Sequence, residues 1–294
     1  MIKLVTQFLR VLKTQKHYSA HTIQNYERDL LRFSAYLKQE EISTFQAVSD
    51  THCREFLTRL YDQKLHDHSI LRQLSSCRSL WNYLLSQNLV DHNPFIDIKG
   101  PKKQKNLARL MEPEQLHHFL DQLPHNSNQE IRNKAIFELL YATGCRVSEL
   151  CRLRLEDLDL IEGECRVQGK GNKDRIALFG DSAKKALLRY LHKVYPKWAP
   201  AKNTILFLSQ KGTPITSRTI QRDLKKALTQ AGLSSNITPH SLRHSFATDL
   251  LNNGANLKAV QDLLGHESIT STQIYTHLST EKLEKTFKDA HPRA

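Results

Sequence analysis

The first hundred residues carry apolar side chains at the three- and four-residue spacing that places them on one face of a helix. Four such segments follow one another, within residues 2–12, 23–37, 56–60 and 74–84. Ser19 and Asp50 stand where side chains would cap the second and third helices. The pattern predicts a small all-helical bundle. Six arginines fall on the opposite faces and predict a basic side: Arg28, Arg32, Arg54, Arg59, Arg72 and Arg78.

A change of pattern after this bundle predicts a domain boundary. Asn93-Pro94 ends the last helix, because proline disfavours a helical conformation in the residue before it. Gly100-Pro101 and a run of lysines follow, a composition typical of an extended linker. We therefore expect a helical domain at residues 1–98, a basic linker at 99–107 and a second domain at 108–294.

The second domain mixes helical and strand patterns. Pro113 suits the first turn of a helix, and Gly144 is placed to end the apolar helix at 131–143. Residues 165–168 and 175–178 alternate like two strands around a glycine-rich turn. The whole chain is predicted to be mainly α with a small β-sheet. Other predicted elements are a short buried strand or strand-like run at 204–208 and helices at 183–190, 217–231 and 280–287.

Charge identifies the class of partner. The chain has 43 lysines and arginines against 30 aspartates and glutamates, a net charge of +13. Such an excess favours a polyanion, bound with an affinity that falls as salt rises, over a basic protein whose lysines are merely solvated. Lys102, Lys103 and Lys105 in the linker are candidates for contacts with a phosphate backbone.

Several classes of site and location are disfavoured. No apolar run of about 18 residues predicts a membrane span, and the first residues lack a signal-peptide pattern, so we expect a cytoplasmic protein. His240 and His244 are spaced like metal ligands, but the glutamate of a His-Glu-x-x-His site is absent, so we expect no metal. The cysteines form no Cys-x-x-Cys pair and predict neither zinc nor disulfides. They are Cys53, Cys77, Cys145, Cys151 and Cys165.

Four side chains near the C-terminus, with one earlier arginine, have the chemistry to act on one phosphate. His240 and Arg243 lie three positions apart and share a helix face, and arginine offers a planar fork of donors to phosphate oxygens. His266 follows a Leu-Gly turn, and Tyr275 is a possible nucleophile. Arg146 begins a helix, where unbonded N–H groups favour an anion. Each alone has a plain structural interpretation: a solvated pair, a helix cap, a packed tyrosine, a surface arginine.

The turn between the two predicted strands carries the remaining candidates. It contains Lys170 and Lys173 between glycines and lacks the spacing of a nucleotide-binding P-loop. A hairpin tip of this kind can place a lysine in a neighbouring site. Spacing alone does not decide between the two lysines.

Separated blocks of the sequence together resemble a known family. They are Ala142-Thr-Gly-Cys-Arg-Val-Ser-Glu-Leu150, Gly169-Lys-Gly-Asn-Lys173, His240-Ser-Leu-Arg-His-Ser-Phe-Ala-Thr248, Leu264-Gly-His266 and Thr272-Gln-Ile-Tyr-Thr-His277. In this order the chain resembles the tyrosine recombinase (phage integrase) family over nearly its whole length, most closely the bacterial Xer group. Cys145 departs from the aliphatic residue more usual there, and we expect it only to pack.

The resemblance implies a metal- and ATP-independent recombinase. Arg146 and Arg243 would clamp the scissile phosphate, and Tyr275 would attack it to leave a 3′-phosphotyrosyl bond. Lys170, which the family pattern favours over Lys173, would protonate the leaving 5′ oxygen. The two remaining catalytic positions would be His240 as general base or hydrogen-bond partner and His266 as a phosphate ligand.

The resemblance also implies an architecture and partners. A helical, SAM-like core-binding domain and a mixed α/β catalytic domain would close around double-stranded DNA as a clamp. The protein would work at a chromosomal dif-type site, associated with the nucleoid, in a heterotetramer with a XerD-like recombinase. It would resolve chromosome dimers, with a division-linked DNA translocase as the expected regulator. The final helix beyond Tyr275 would dock on a neighbouring protomer.

Other readings remain open at this point. A mobile-element integrase or a type IB topoisomerase would use the same chemistry, although no N-terminal arm-binding extension is present to favour the phage-integrase variety. A DNA-binding regulator without cleavage activity would not need all six catalytic positions, and all six are filled here.

Overall fold

The computed structural model describes residues 1–16, 18–101, 111–169, 174–234, 236–265 and 286–293. The chain divides into two compact units, Met1–Lys105 and Asn106–Ala294. Each unit has its own hydrophobic core. The fold is mainly α-helical with one small sheet, as the sequence pattern predicts.

The N-terminal unit contains helices α1 (Ile2–Thr14), α2 (Ala20–Gln39), α3 (Asp50–Asp62) and α4 (Asp67–Ser86). Ser19 caps α2 as predicted, because its hydroxyl accepts a hydrogen bond from the Thr22 N–H. The predicted cap of α3 is one residue off. Ser49, not Asp50, is the N-cap, and it exchanges hydrogen bonds with His52 across the first turn.

The predicted basic face of this unit is partly wrong. Arg72 donates two hydrogen bonds to Asp29, a fully buried carboxylate. Arg78 donates to the carbonyls of Phe95 and Ile98 and so fastens the segment after α4 to the helix. Burial of a charged carboxylate requires such partners, which periodicity alone does not identify. These two arginines are partly buried and bind groups within the unit, so they are not free members of a basic face.

The second unit is built around a helix that is buried on nearly every side, α6. Helices α8 and α11 pack against it. A three-stranded antiparallel sheet, in the order β1-β2-β3, pairs Cys165 with Ala177 and Val167 with Arg175. The elements are α5 (Pro113–Gln122), α6 (Asn128–Thr143), α7 (Val147–Leu150), β1 (Leu158–Asp159), β2 (Glu164–Gln168), β3 (Asp174–Leu178), α8 (Asp181–Lys193), α9 (Tyr195–Trp198), α10 (Ser217–Gln230), α11 (Pro239–Asn252) and α12 (Leu257–Leu264).

One strand of this unit was not predicted: β1 is short and carries no alternating pattern of its own. The segment at 204–208, predicted as a strand or strand-like run, is the latter. It makes isolated bridges, from Ile205 to Arg154 and from Leu208 to Pro214, and Leu206, Phe207 and Leu208 are buried as expected. At the C-terminal end, residues 286–290 are helical, whereas most of the predicted 280–287 helix lies outside the described residues. No helix in the described ranges has the length and apolar character to cross a bilayer.

Candidate active site

A glycine turn at the end of α6 begins the site. Gly144 has φ of 56°, a left-handed conformation that glycine adopts without strain. A Cβ there would lie 2.5 Å from Phe246 Cδ1 and 2.8 Å from Leu264 Cδ2, so α11 and α12 pack directly on this turn. The chain reverses here and Arg146 follows as the N-cap of α7. Glycine at 144 thus brings the first arginine beside the two C-terminal helices.

The start of α7 is occupied by the protein's own carboxylate. Glu149 Oε2 accepts a hydrogen bond from the Arg146 backbone N–H at 2.8 Å, and its Oε1 accepts from Arg146 Nη1 at 2.7 Å. The Arg146 N–H, one of the groups expected to be unbonded, is therefore occupied by the protein's own carboxylate. The Arg146 side chain is 45% exposed, whereas that of Glu149 is 2% exposed. The Arg146 guanidinium is thus held by Glu149 through one nitrogen and is otherwise open to solvent.

A second, buried arginine shares the same carboxylate. Arg175 on β3 donates from Nη1 and Nη2 to Glu149 Oε2, each at 3.3 Å. Its Nε donates to the Leu263 carbonyl at 3.2 Å. Burial opposes ionisation of Glu149, but the backbone hydrogen bond from Arg146 and the charges of Arg175 and Arg146 outweigh it and lower the pKa of this carboxyl.

Arg243 completes the cluster from α11, which Thr238 caps and Pro239 begins. Its Nη1 donates to the Gly144 carbonyl at 2.6 Å and its Nη2 to the Leu264 carbonyl at 2.7 Å. Burial, with the nearby charges of Arg146 and Arg175, lowers the pKa of Arg243 to about 10. The guanidinium still carries its charge at neutral pH. Its plane is fixed by two carbonyl groups.

Two guanidinium groups therefore bind one carboxylate, and a third lies near enough to be affected by its charge. This imbalance leaves an excess of two positive charges in a partly buried region, where electrostatic attraction is stronger than in water. Arginine has five N–H donors, and the two bonds of Arg243 to carbonyls leave others for a ligand. Such an arrangement can bind a phosphate and stabilise further negative charge on it. The members of the cluster are Arg146, Arg175, Arg243 and Glu149.

The structure brings together two of the six predicted catalytic residues, Arg146 and Arg243. A third, His240, is exposed in the first turn of α11, one turn before Arg243. The other three lie outside the described residues: Lys170 just after Gly169, His266 just after Gly265, and Tyr275. The candidate DNA contacts Lys102, Lys103, Lys105 and Lys173 lie outside them as well.

Sequence reasoning did not single out Glu149 or Arg175. Glu149 had a signal, since an acidic residue three positions after a helix N-cap commonly bonds back to that cap. Arg175 had a weaker one. In β3 it faces inward with Ala177, while Ile176 is 43% exposed, so the apolar residue and the charged residue exchange the faces usually expected. A charge on the inner face of a strand points to a buried partner.

Cysteines and metal ligands give no second centre in the described part of the chain. Cys145 is buried as expected, and burial raises the pKa of its thiol to about 11, which disfavours the reactive thiolate. All five cysteines are described and none is in a disulfide. Among described residues, no three His, Cys, Asp or Glu side chains are grouped to hold a metal ion.

Two family models match most of the chain. Residues 109–282 match the Phage integrase family, and residues 5–88 match the phage integrase N-terminal SAM-like domain. The chain therefore belongs to the phage integrase family and is an enzyme, a site-specific tyrosine recombinase of the Xer type. The predicted resemblance is thus confirmed.

Individual relatives refine the assignment. The chain is 43% identical to tyrosine recombinase XerC of Halalkalibacterium halodurans, over 99% of this chain and 97% of the relative. It is 40% identical to tyrosine recombinase XerC of Bacillus pumilus, over 99% and 97%. Among solved structures, XerH recombinase bound to its difH substrate in a pre-cleavage complex is 28% identical, with a TM-score of 0.67 over 96% of this chain and 83% of XerH. The overall run of the sequence, together with residues 289–294, also looks more like XerC than XerD.

Proposed function

We propose that this enzyme is the XerC-like half of a recombinase that cuts and rejoins double-stranded DNA at a dif-type site, and so resolves chromosome dimers into monomers. The observation that carries the proposal is the cluster of three arginines around Glu149, with Arg146 open to solvent. A net charge of +13 suits a DNA substrate. The helical domain, taken as residues 1–98, and the catalytic domain, taken as residues 108–294, both bind the duplex and are joined by a linker at 99–107.

The two outer arginines act on the scissile phosphate. Arg146 and Arg243 each donate hydrogen bonds to its non-bridging oxygens and offset the charge that develops on them in the transition state. Fixed donors are effective because they need no reorganisation during the reaction. Anchoring of Arg243 to two carbonyls and of Arg146 to Glu149 supplies that rigidity. His266 donates to another phosphate oxygen.

The nucleophile is the phenol of Tyr275. Its oxygen attacks phosphorus, a new P–O bond forms, and the bond from phosphorus to the 5′ oxygen breaks. His240, exposed at the start of α11, takes up or shares the phenolic proton, and Lys170 gives a proton to the departing 5′ oxygen. The 3′-phosphotyrosyl bond conserves the energy of the broken bond. A 5′-hydroxyl from another strand then reverses the step without ATP or metal.

The remaining DNA contacts and the partners complete the proposal. Lys102, Lys103, Lys105 and Lys173 contact the DNA backbone, and Lys173 is the rival of Lys170 for the proton donor. A XerD-like recombinase forms the other half of the heterotetramer and a division-linked DNA translocase activates it, on the nucleoid in the cytoplasm. The family likeness and the relatives named XerC support these assignments.

A nicked suicide substrate tests the chemistry. Loss of the short fragment below the nick traps the covalent protein–DNA adduct, which an SDS gel resolves. Wild type with a dif-like site should form this adduct, and Tyr275→Phe should bind the DNA but form none. If wild type shifts the DNA yet never traps it, even with a XerD-like partner present, the proposed function is wrong and a DNA-binding role replaces it.

A further inference from the structure

We propose that Arg175 is a positioning residue of the recombination site. It binds one oxygen of the Glu149 carboxylate and links that carboxylate to the C-terminal end of α12, which keeps Arg146 available for the phosphate. This inference rests on the proposed catalytic roles of Arg146 and Arg243. It assigns a function to a buried cation that does not itself reach the substrate.

The location of Arg175 requires an explanation. Its side chain is 7% exposed, on the inner face of β3 opposite the fully buried Val167. Loss of water around a cation is costly unless several partners replace it. A valine or leucine would fill an inward strand position without that cost. The positive charge of Arg175 is therefore explained by the groups that it binds.

Those contacts join two distant parts of the unit. The Nη atoms of Arg175 bind Glu149, and its Nε binds the Leu263 carbonyl near the C-terminal end of α12, where a helix dipole favours a positive charge. The next carbonyl, of Leu264, accepts from Arg243. Two arginines thus hold successive carbonyls of one helix end. Gly265 allows this approach, since a Cβ there would lie 2.8 Å from Arg175 Cδ.

The contacts form a closed ring. It runs from Arg146 to Glu149, to Arg175, to the end of α12, to Arg243, to the Gly144 carbonyl, and back along the chain to Arg146. In a closed ring, each bond limits the freedom of the next, and the two catalytic arginines keep a fixed separation. Arg175 is the member that joins the carboxylate to the helix end.

The way in which the two carboxylate oxygens of Glu149 are shared determines which hydrogen bonds Arg146 can make. With Arg175 present, Oε2 is shared with Arg175 and the Arg146 backbone, and Arg146 uses one nitrogen on Oε1. Without Arg175, Oε2 keeps only its bond from the Arg146 backbone N–H and can accept a second one from the Arg146 side chain, which gives the two-pronged geometry preferred by an arginine–carboxylate pair. Arg146 would then be drawn toward the carboxylate and away from the phosphate. The expected defect is in the chemical step, and DNA binding is spared.

The test compares Arg175→Lys with the matched control Arg166→Lys on neighbouring β2, where Arg166 is exposed and paired with Asp157. A lysine keeps the charge but has one donor nitrogen and cannot span both partners. At saturating suicide substrate, the first-order rate of adduct formation should fall about 10- to 100-fold, the size expected for a displacement near 1 Å. The Kd for DNA should stay at the wild-type value. The control should match wild type in both.

A substrate with sulfur in place of the bridging 5′ oxygen separates the routes by which Arg175 could act. Thiolate leaves without protonation, so this substrate bypasses any defect in Lys170, which precedes β3 in the sequence. The Arg175→Lys defect should persist on it. Restoration of the wild-type rate would assign the defect to Lys170 and overturn the proposal, as would a parallel loss of DNA affinity or an unchanged rate on the normal substrate.

A double-variant cycle tests whether Arg175 acts through Arg146. If Arg175 acts through Arg146, Arg175→Lys should have little further effect in an Arg146→Lys background, whereas independent effects would multiply and contradict it. Arg175→Gln, a neutral replacement with a single amide donor, serves in the same cycle if the lysine variant does not fold. Failure of the proposed function is recognised separately, because wild type itself would then form no Tyr275-dependent adduct.

Discussion

Each unit of the chain buries a carboxylate that is bound by arginine, one arginine in the first unit and two in the second. In the N-terminal unit, Asp29 accepts hydrogen bonds from Nε and Nη2 of Arg72 at 2.8 and 2.9 Å. That hydrogen bond raises the pKa of Arg72, so the pair holds its charges firmly. One anion balances one cation, and their geometry is complete. Such a pair joins α2 to α4 and has no charge left over for a ligand.

In the second unit, Glu149 serves two arginines and lies near a third. The pKa of Arg243 falls to about 10 because it is buried and because its neighbours Arg146 and Arg175 carry the same charge. Like charges held together in a folded protein raise its free energy unless an anion offsets them. A buried ion pair with balanced charges therefore indicates a structural role, whereas a buried cluster with excess positive charge indicates a site for an anion.

The largest expected effect concerns the removal of each carboxylate. Glu149→Gln leaves buried Arg175 without its ion partner and should lower the free energy of unfolding of the second unit by about 3–5 kcal/mol. Asp29→Asn should cost less, because the Arg72 side chain is 32% exposed and can turn to water. Urea denaturation, followed by Trp198 for the second unit and Trp81 for the first, measures both. Equal losses would contradict the comparison.

Next in size is the effect of the arginines on cleavage. Arg243→Gln removes a charged donor from the developing phosphate charge and should slow adduct formation about 10²- to 10³-fold. Arg72→Gln, which disrupts the balanced pair, should cleave at the wild-type rate wherever the protein stays folded. Single-turnover assays on the suicide substrate measure both variants. A similar slowing by Arg72→Gln would show that the balanced pair is also functional.

Acid should affect the two units differently. Burial lowers the pKa of His291 to about 3, from its usual value of 6.5. Between these two pH values the unfolded chain binds a proton at this side chain and the folded chain does not. Stability from this group is present above pH 6.5 and is lost as pH falls, by about 2 kcal/mol at about pH 5. Thermal melts of the second unit should show this slope, and His291→Phe should remove it.

That control also accounts for neighbouring groups. Burial lowers the pKa of His117, which adds to the slope, and raises the pKa values of Glu138 and Asp249, which oppose it. These contributions remain in His291→Phe and cancel in the difference from wild type. The replacement ring suits a position in contact with Tyr141, Phe246 and Phe287. An unchanged slope in the variant would rule out His291 as its source.

The smallest effect tests the charge imbalance directly. Sulfate at about ten times its Kd should stabilise the second unit by about 1.4 kcal/mol, since it binds only the folded state. The first unit, whose buried pair is balanced, should respond less. Arg146→Ala should remove the difference between the units, and the tryptophan signals distinguish them in one titration. Equal stabilisation of both units would mean that sulfate acts through general solvent effects.

Local features were the most predictable part of this fold. Ser19 at the start of α2, Gly144 at the end of α6 and Pro239 at the start of α11 were assigned correctly, because each satisfies a requirement of its own few residues. Where two neighbouring residues could both serve, prediction missed by one, as with Ser49 and Asp50. Strand β1 was missed because two residues are too few to show a period.

The candidate site shows the same difference between local features, which could be predicted, and long-range contacts, which could not. Arg146, His240 and Arg243 were identified from sequence blocks, and the family they imply is confirmed. Neither the place of Glu149 between two arginines nor the role of Arg72 could be read from spacing. The choice of partner for a buried charge depends on which residues folding brings within hydrogen-bond distance.

By itself, the sequence determined the helical and strand periods, the caps, the excess of positive charge and the family. These are properties of short segments or of composition. Only the tertiary structure decided that Arg175 binds Leu263, 88 positions away, and that one carboxylate serves two arginines and lies beside a third. The physical reason is that desolvation makes a buried charge depend on its partners, and those partners are defined only once distant segments have packed together.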